Sequence, residues 1–253
     1  MNLTQRKKKI KGNPEIIRKR LLFFMNASDR IGNSSLDFIF KHIESPNINT
    51  SIFSAQTLLN ILLYDKVNLL IKKNILKFVF SILGPDIFPP LKEKLLLIIE
   101  CFSYAVSKCK IDRTQFPPNK IIKIFHLDYL MELAENSNFS IKTYIAGIFC
   151  HLLDNISYRE EIVSSISFLE LLLPLLQSNN IEFVTLICQI LIDIIEEADL
   201  EFAINFCSVI REDGDLELFS DSNNCNIDVY YKIADLNKLI SSVLDAHEED
   251  FNQ

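Results

Sequence analysis

The sequence has 253 residues, 49% of them apolar and only five of them glycine, with a net charge of -7. Glycine this scarce argues against β-rich folds and against nucleotide-binding folds built on Gly-rich loops, and the composition suits long helices. The charge is lopsided: residues 1–20 carry eight Lys/Arg and one acid, Glu15, hence +7, which leaves -14 on the remainder.

The chain opens with two basic clusters, Arg6 to Lys11 and Arg18 to Arg20, bridged by Gly12-Asn13-Pro14. Pro14 fits the first turn of a helix starting near Glu15, with Asn13 as its N-cap. Such an arm reads as solvated, as a localisation signal or as a protein-binding segment. Direct nucleic-acid binding is not expected, because the acidic body repels phosphates. The apolar run Leu21 to Met25 is too short for a signal peptide, and no stretch has the length of a bilayer span. The expectation is a soluble, reduced protein of cytoplasm and nucleus, without a membrane role.

Leu36 to Leu83 reads as three helices in quick succession. The first, Leu36 to Ile43, is closed by Ser45-Pro46, since proline biases its predecessor away from helical angles. The second, Ser51 to Leu63, places Ile52, Ala55, Leu58, Leu59, Leu62 and Leu63 at helical spacing, an apolar stripe too wide for one solvated face. The third, Leu69 to Leu83, is equally apolar, and the short run Lys77 to Ile82 inside it is not read as a strand. A unit like this buries its surface only against neighbours of the same kind.

Those neighbours follow. Gly84 to Pro90 is a loop, Leu91 to Lys108 a long helix, Asp112 to Asn119 a second loop, and Phe125 to Ala134 closes that repeat. Ser137 to Leu153 and then Arg159 to Leu176 repeat the scheme, and Asn179 to Ile195 begins it again. Alignment of helix centres brings Asn60, Glu100, His151 and Asp193 to equivalent places roughly 40 to 50 residues apart, the period of armadillo or HEAT repeats. The fold class is all-α: a right-handed armadillo/HEAT-like α-solenoid of about four to five repeats. Residues 1–27 form the basic arm, 28–245 the repeat array and 246–253 an acidic tail.

Six cysteines are scattered without a CxxC pair, and most lie in apolar runs, where a thiol behaves as a small hydrophobe. His42, His126, His151 and His247 stand alone, with no pair at metal-ligand spacing. Cys150 and His151 are adjacent on a helix and so point in different directions, which does not make a dyad. No phosphate loop or nucleophile motif is present, so neither an enzyme nor a cofactor is expected.

Two segments resemble the importin-α family. Lys9, Lys11, Gly12, Glu15, Arg18, Lys19 and Arg20 match the first half of that family's importin-β-binding segment; its second basic stretch is missing. Gly214-Asp215-Leu216-Glu217, followed by Asn223, Asn224, Asn226 and Asp228-Val229-Tyr230, resembles the family's closing repeat, and AQTLLNIL (Ala55 to Leu62) resembles an armadillo third helix. The resemblance implies a carrier-binding arm at Lys9, Lys11, Arg18, Lys19 and Arg20. It also implies a concave groove reading basic localisation peptides through stacked tryptophans and asparagine clamps. Here Asn60, His151 and Asp193 hold the asparagine place, and Gln56, Gly147 and Gln189 the tryptophan place; the chain has no tryptophan. Glu100 and Asp193, aided by Glu196 and Glu197, form an acidic stripe that attracts basic cargo peptides. The same acids read equally as solvated surface residues, and Asn60 as an internal hydrogen-bonding residue.

Two functions stay open. One is an importin-α-like adaptor for nuclear import, with an importin-β-like carrier on its arm and basic peptides in its groove. The other is a general armadillo/HEAT scaffold for protein–protein interaction with no transport role. An RNA-associated repeat protein anchored by its arm is a third, weaker reading.

Overall fold

The computed structural model describes residues 14–26, 32–63, 70–71, 73–84, 86–108, 113–165, 167–178, 180–213 and 227–251. Lys9, Lys11, Gly12 and the run from Gly214 to Asn226 lie outside them. The chain divides into two compact units, residues 1–113 and 114–253. Every regular element among the described residues is helical.

The first unit comprises α1 (Pro14–Asn26), α2 (Asn33–Ile43), α3 (Ile48–Leu63), α4 (Ile75–Ile82) and α5 (Pro89–Ser107). α1 starts on proline, whose fixed φ and missing N–H cost nothing in a first turn. It buries Ile17, Leu21 and Phe24, at i, i+4 and i+7, and packs on α3. From Pro14 onward the stretch read as an arm is therefore a packed helix. α3 is the centre of the unit, in contact with α1, α2 and α5. It begins after Pro46, where the Asn47 side chain accepts the Thr50 N–H at 3.1 Å. Leu58 and Ile61 are fully buried, as are Ser54 and Thr57, whose hydroxyls donate to the carbonyls of Thr50 and Phe53.

The run Leu69 to Leu83 is not one helix. Asn74 sits at φ 51°, ψ 46°, the left-handed conformation that asparagine tolerates better than most residues, and α4 starts only after it.

The second unit comprises α6 (Ile121–Ile124), α7 (Leu127–Glu135), α8 (Phe139–Leu153), α9 (Ile156–Ser165), α10 (Leu169–Leu172) with a 3-10 turn at Leu173–Gln177, α11 (Ile181–Glu197), α12 (Leu200–Asp213) and α13 (Ile227–Phe251). Asn138 and Asn180 cap α8 and α11, each side chain accepting an N–H three residues on at 3.1 Å. His126, at φ 47°, separates α6 from α7. One sequence expectation is corrected here. Arg159 to Leu176 is divided among α9, α10 and the 3-10 turn; α10 gives way to that turn because Pro174 lacks an N–H and would strike the carbonyl four residues back in a continuing α-helix.

The long helices begin at residues 48, 89, 139, 181 and 227, so the spacing read from the sequence reappears in the elements themselves. Phe125, Phe149 and Phe168 are the largest fully buried side chains of the second unit. Truncation of Phe149 to alanine is expected to cost about 3–5 kcal/mol, and truncation of exposed Tyr231 less than about 0.5 kcal/mol; urea unfolding of the two variants checks this.

Candidate functional site

The long helices α3, α5, α8 and α11 are apolar around most of their circumference, so their chemistry is confined to one half-open stripe. On α3 that stripe runs through Ile52, Phe53, Gln56 and Asn60, all half-buried, to exposed Leu63. On α5 it runs through Glu93, Leu97, Glu100 and Cys101 to exposed Tyr104. On α8 it includes Tyr144 and His151, and on α11 Thr185, Leu186, Gln189 and Asp193. All six residues singled out from the repeat alignment, Gln56, Asn60, Glu100, His151, Gln189 and Asp193, are half-buried positions on these stripes. Gly147 is buried.

In the first unit the Gln56 Nε2 donates to the Asn60 Oδ1 at 3.0 Å, an i, i+4 amide pair that holds both side chains along the helix. Among the described residues the NH2 group of Asn60 and the carbonyl of Gln56 have no further hydrogen-bond partner. Gln56 also lines a cleft of about 650 Å³ between α1 and α3, whose walls include Arg18, Leu21, Ile52 and Phe53. Of the basic residues on α1, Lys19 pairs with Glu15 at 3.1 Å on the surface. The Arg20 guanidinium lies 4.2 Å above the Phe38 ring and 5.6 Å from that of Phe24, and Arg18 lies 6.0 Å from the Phe53 ring. Arg20 thus spends its charge on joining α1 to α2 by a cation–π contact.

In the second unit the same spacing recurs on α11, where the Gln189 Nε2 donates to the Asp193 Oδ1 at 2.6 Å. Here, however, the chain supplies cations. The buried Arg159 on α9 donates from Nε to the Leu153 carbonyl at 2.9 Å, from Nη1 to Glu197 at 2.7 Å and from Nη2 to Asp193 at 3.2 Å. One guanidinium therefore closes the C-terminus of α8 and binds two carboxylates of α11, a geometry that lysine cannot reproduce. Lys232 on α13 donates to the Gln189 Oε1 at 2.7 Å. The acidic stripe expected at Asp193, Glu196 and Glu197 is in this way partly neutralised from inside. Sequence reading missed both cations, because 34 and 43 residues separate them from their partners.

Burial pushes the Glu100 carboxyl up to about 7. Burial also raises the thiols of Cys101 and Cys207 to about 11 and that of Cys188 to about 12, the charge of Glu100 adding to the effect on Cys101. These thiols stay protonated at neutral pH and are poor nucleophiles. Among the described residues no cluster of His, Cys, Asp or Glu could hold a metal ion, and no helix is long and apolar enough to cross a membrane.

The folded state prefers neutral Glu100, so its contribution is fully present below the ordinary carboxyl value of 4.5 and is lost as pH rises to about 7. Glu100→Gln is expected to raise stability at pH 8 by at most about 3 kcal/mol and to leave it unchanged at pH 4, as thermal unfolding at the two pH values will show. Arg159→Leu is expected to cost about 3 kcal/mol, since it strands two partly covered carboxylates. Asp193→Asn in the same chain should recover part of that loss in a double-mutant cycle.

No protein-family model and no curated protein sequence matches the chain. Solved structures do. One described as computationally designed armadillo repeat proteins for modular peptide recognition aligns with a TM-score of 0.63 at 13% identity, over 89% of this chain and 98% of that one. A designed armadillo repeat protein in complex with the peptide (KR)4 aligns with a TM-score of 0.61 at 12% identity, over 91% and 98% of the two chains. A further designed armadillo repeat protein aligns with a TM-score of 0.62 at 14% identity, over 91% and 92%. At such identities the likeness speaks for the fold, and the fold is an all-helical, armadillo-like repeat solenoid.

Proposed function

We propose that this chain is a non-enzymatic armadillo-type scaffold that holds an extended peptide segment of a partner protein, within each of its units, along the half-open stripes of the long helices. The observation that carries this reading is the amide pair Gln56–Asn60. The two side chains fix each other, Gln56 lines the cleft beside α1, and the pair leaves donors and an acceptor over. An extended peptide backbone needs such groups, because its own N–H and C=O groups are paired by no internal structure. Glu100, at the equivalent place on α5, supplies the charge for a lysine or arginine of the ligand. The designed relative that carries (KR)4 supports a basic peptide as the first ligand to try.

Fluorescence anisotropy of an alternating Lys-Arg peptide is the direct test. Binding should weaken as salt rises, and Asn60→Ala should weaken it about tenfold, a loss of about 1.4 kcal/mol. Binding should also tighten from pH 6 to pH 8 as Glu100 ionises, and Glu100→Gln should abolish that pH dependence. Unchanged affinity in both variants removes the stripe from consideration.

The adaptor for nuclear import is the second reading. It is favoured by the exposed Arg18 and Lys19 at the end of a run of eight basic residues. In it, an importin-β-like carrier holds Lys9, Lys11, Arg18, Lys19 and Arg20, and the stripe holds basic cargo. A pull-down with such a carrier tests it, comparing the full chain with one lacking residues 1–13, which leaves α1 intact. Equal recovery of both forms argues for a scaffold without a transport role.

A further inference from the structure

The two units carry the same i, i+4 pair and use it differently. Gln56 and Asn60 hold the ninth and thirteenth places of α3, and Gln189 and Asp193 hold the ninth and thirteenth places of α11. On α3 the pair is neutral. On α11 it is an amide and a carboxylate, the better chemistry for a cation, and each carboxylate oxygen already receives a donor from within the chain: Oδ1 from Gln189 at 2.6 Å, Oδ2 from Arg159 at 3.2 Å. The Gln189 Oε1 receives the Lys232 ammonium at 2.7 Å. Lys232 follows Gln189 by 43 residues, one repeat period, so this lysine comes from the neighbouring long helix of the array.

We infer that, on the peptide-binding reading above, Lys232 fills from within the chain the position that a ligand's lysine or arginine would take on α11. The second unit then excludes cationic side chains at this place. An arriving cation would meet the ammonium at close range, a like-charge contact that is strongly disfavoured. What the place offers a ligand is the reverse: the ammonium of Lys232 has three N–H donors and spends one on Gln189, so a peptide carbonyl or a ligand hydroxyl is the fitting group. Arg159 and Lys232 together balance Asp193 and Glu197, which makes the local recognition one of hydrogen bonding rather than of net charge.

The experiment empties the position and offers a substitute. In Lys232→Ala the butylammonium ion, a primary alkylammonium with the charge of the deleted group, should raise the thermal midpoint. It should not do so in the parent chain or in Lys238→Ala, which removes an exposed lysine of the same helix. The alternating Lys-Arg peptide should bind Lys232→Ala about tenfold more tightly than the parent, and the gain should vanish when Asp193→Asn is added. If Lys232→Ala is poorly folded, Lys232→Met keeps the stem and serves for the peptide measurement. The inference is overturned if butylammonium fails to act selectively on the emptied position, or if peptide affinity is unchanged in a parent that binds the peptide. A parent that binds no basic peptide counts against the proposed function alone, since the butylammonium measurement still decides whether the position is a cation site.

Discussion

The structure depends on helices that are too apolar to stand alone. In α3 and α11 about half of the residues are buried, on several sides at once, and each helix must be enclosed by its neighbours before it is stable. Enclosure leaves a single stripe per long helix in contact with solvent. Even the polar residues under the surface respect this: Ser54 and Thr57 are taken into the core because their hydroxyls turn back onto carbonyls of their own helix. The stripe is thus a residue of packing, and its register is fixed by the core behind it.

That constraint explains which parts were legible in the sequence. The spacing of Leu58, Leu62 and their counterparts is a local pattern, and it specified the long helices and the equivalent places on them. Because side chains opposite the core are fixed by the same periodicity, the half-buried stripe positions of Gln56, Asn60, Glu100, His151, Gln189 and Asp193 were legible too. Breaks that rest on one residue's backbone angle were not legible. Asn74 adopts left-handed angles inside an apolar run that otherwise reads as continuous helix. Nor was the fate of the acidic stripe. Arg159 and Lys232 meet it only through folding, and a count of acids along the chain cannot reveal which of them are already paired.

The two units therefore handle polarity in opposite ways. In the first, Arg18 and Arg20 spend their charge on aromatic faces, the amide pair stays open, and Glu100 is held where burial works against its ionisation. In the second, an arginine and a lysine are woven into the open face. A repeat fold permits this, since each stripe is built by its own helix and its nearest neighbours and can diverge without disturbing the others.

Arg159 has a consequence for inheritance. Its guanidinium serves three elements at once: the end of α8, its own helix α9 and two turns of α11. A single change at this position leaves a helix end and two carboxylates without their partner. A lineage can abandon the arrangement only through several substitutions, and those at 193 and 197 are most easily tolerated first. Among relatives of this chain, positions 159, 193 and 197 should accordingly change together, with the acids lost before the arginine.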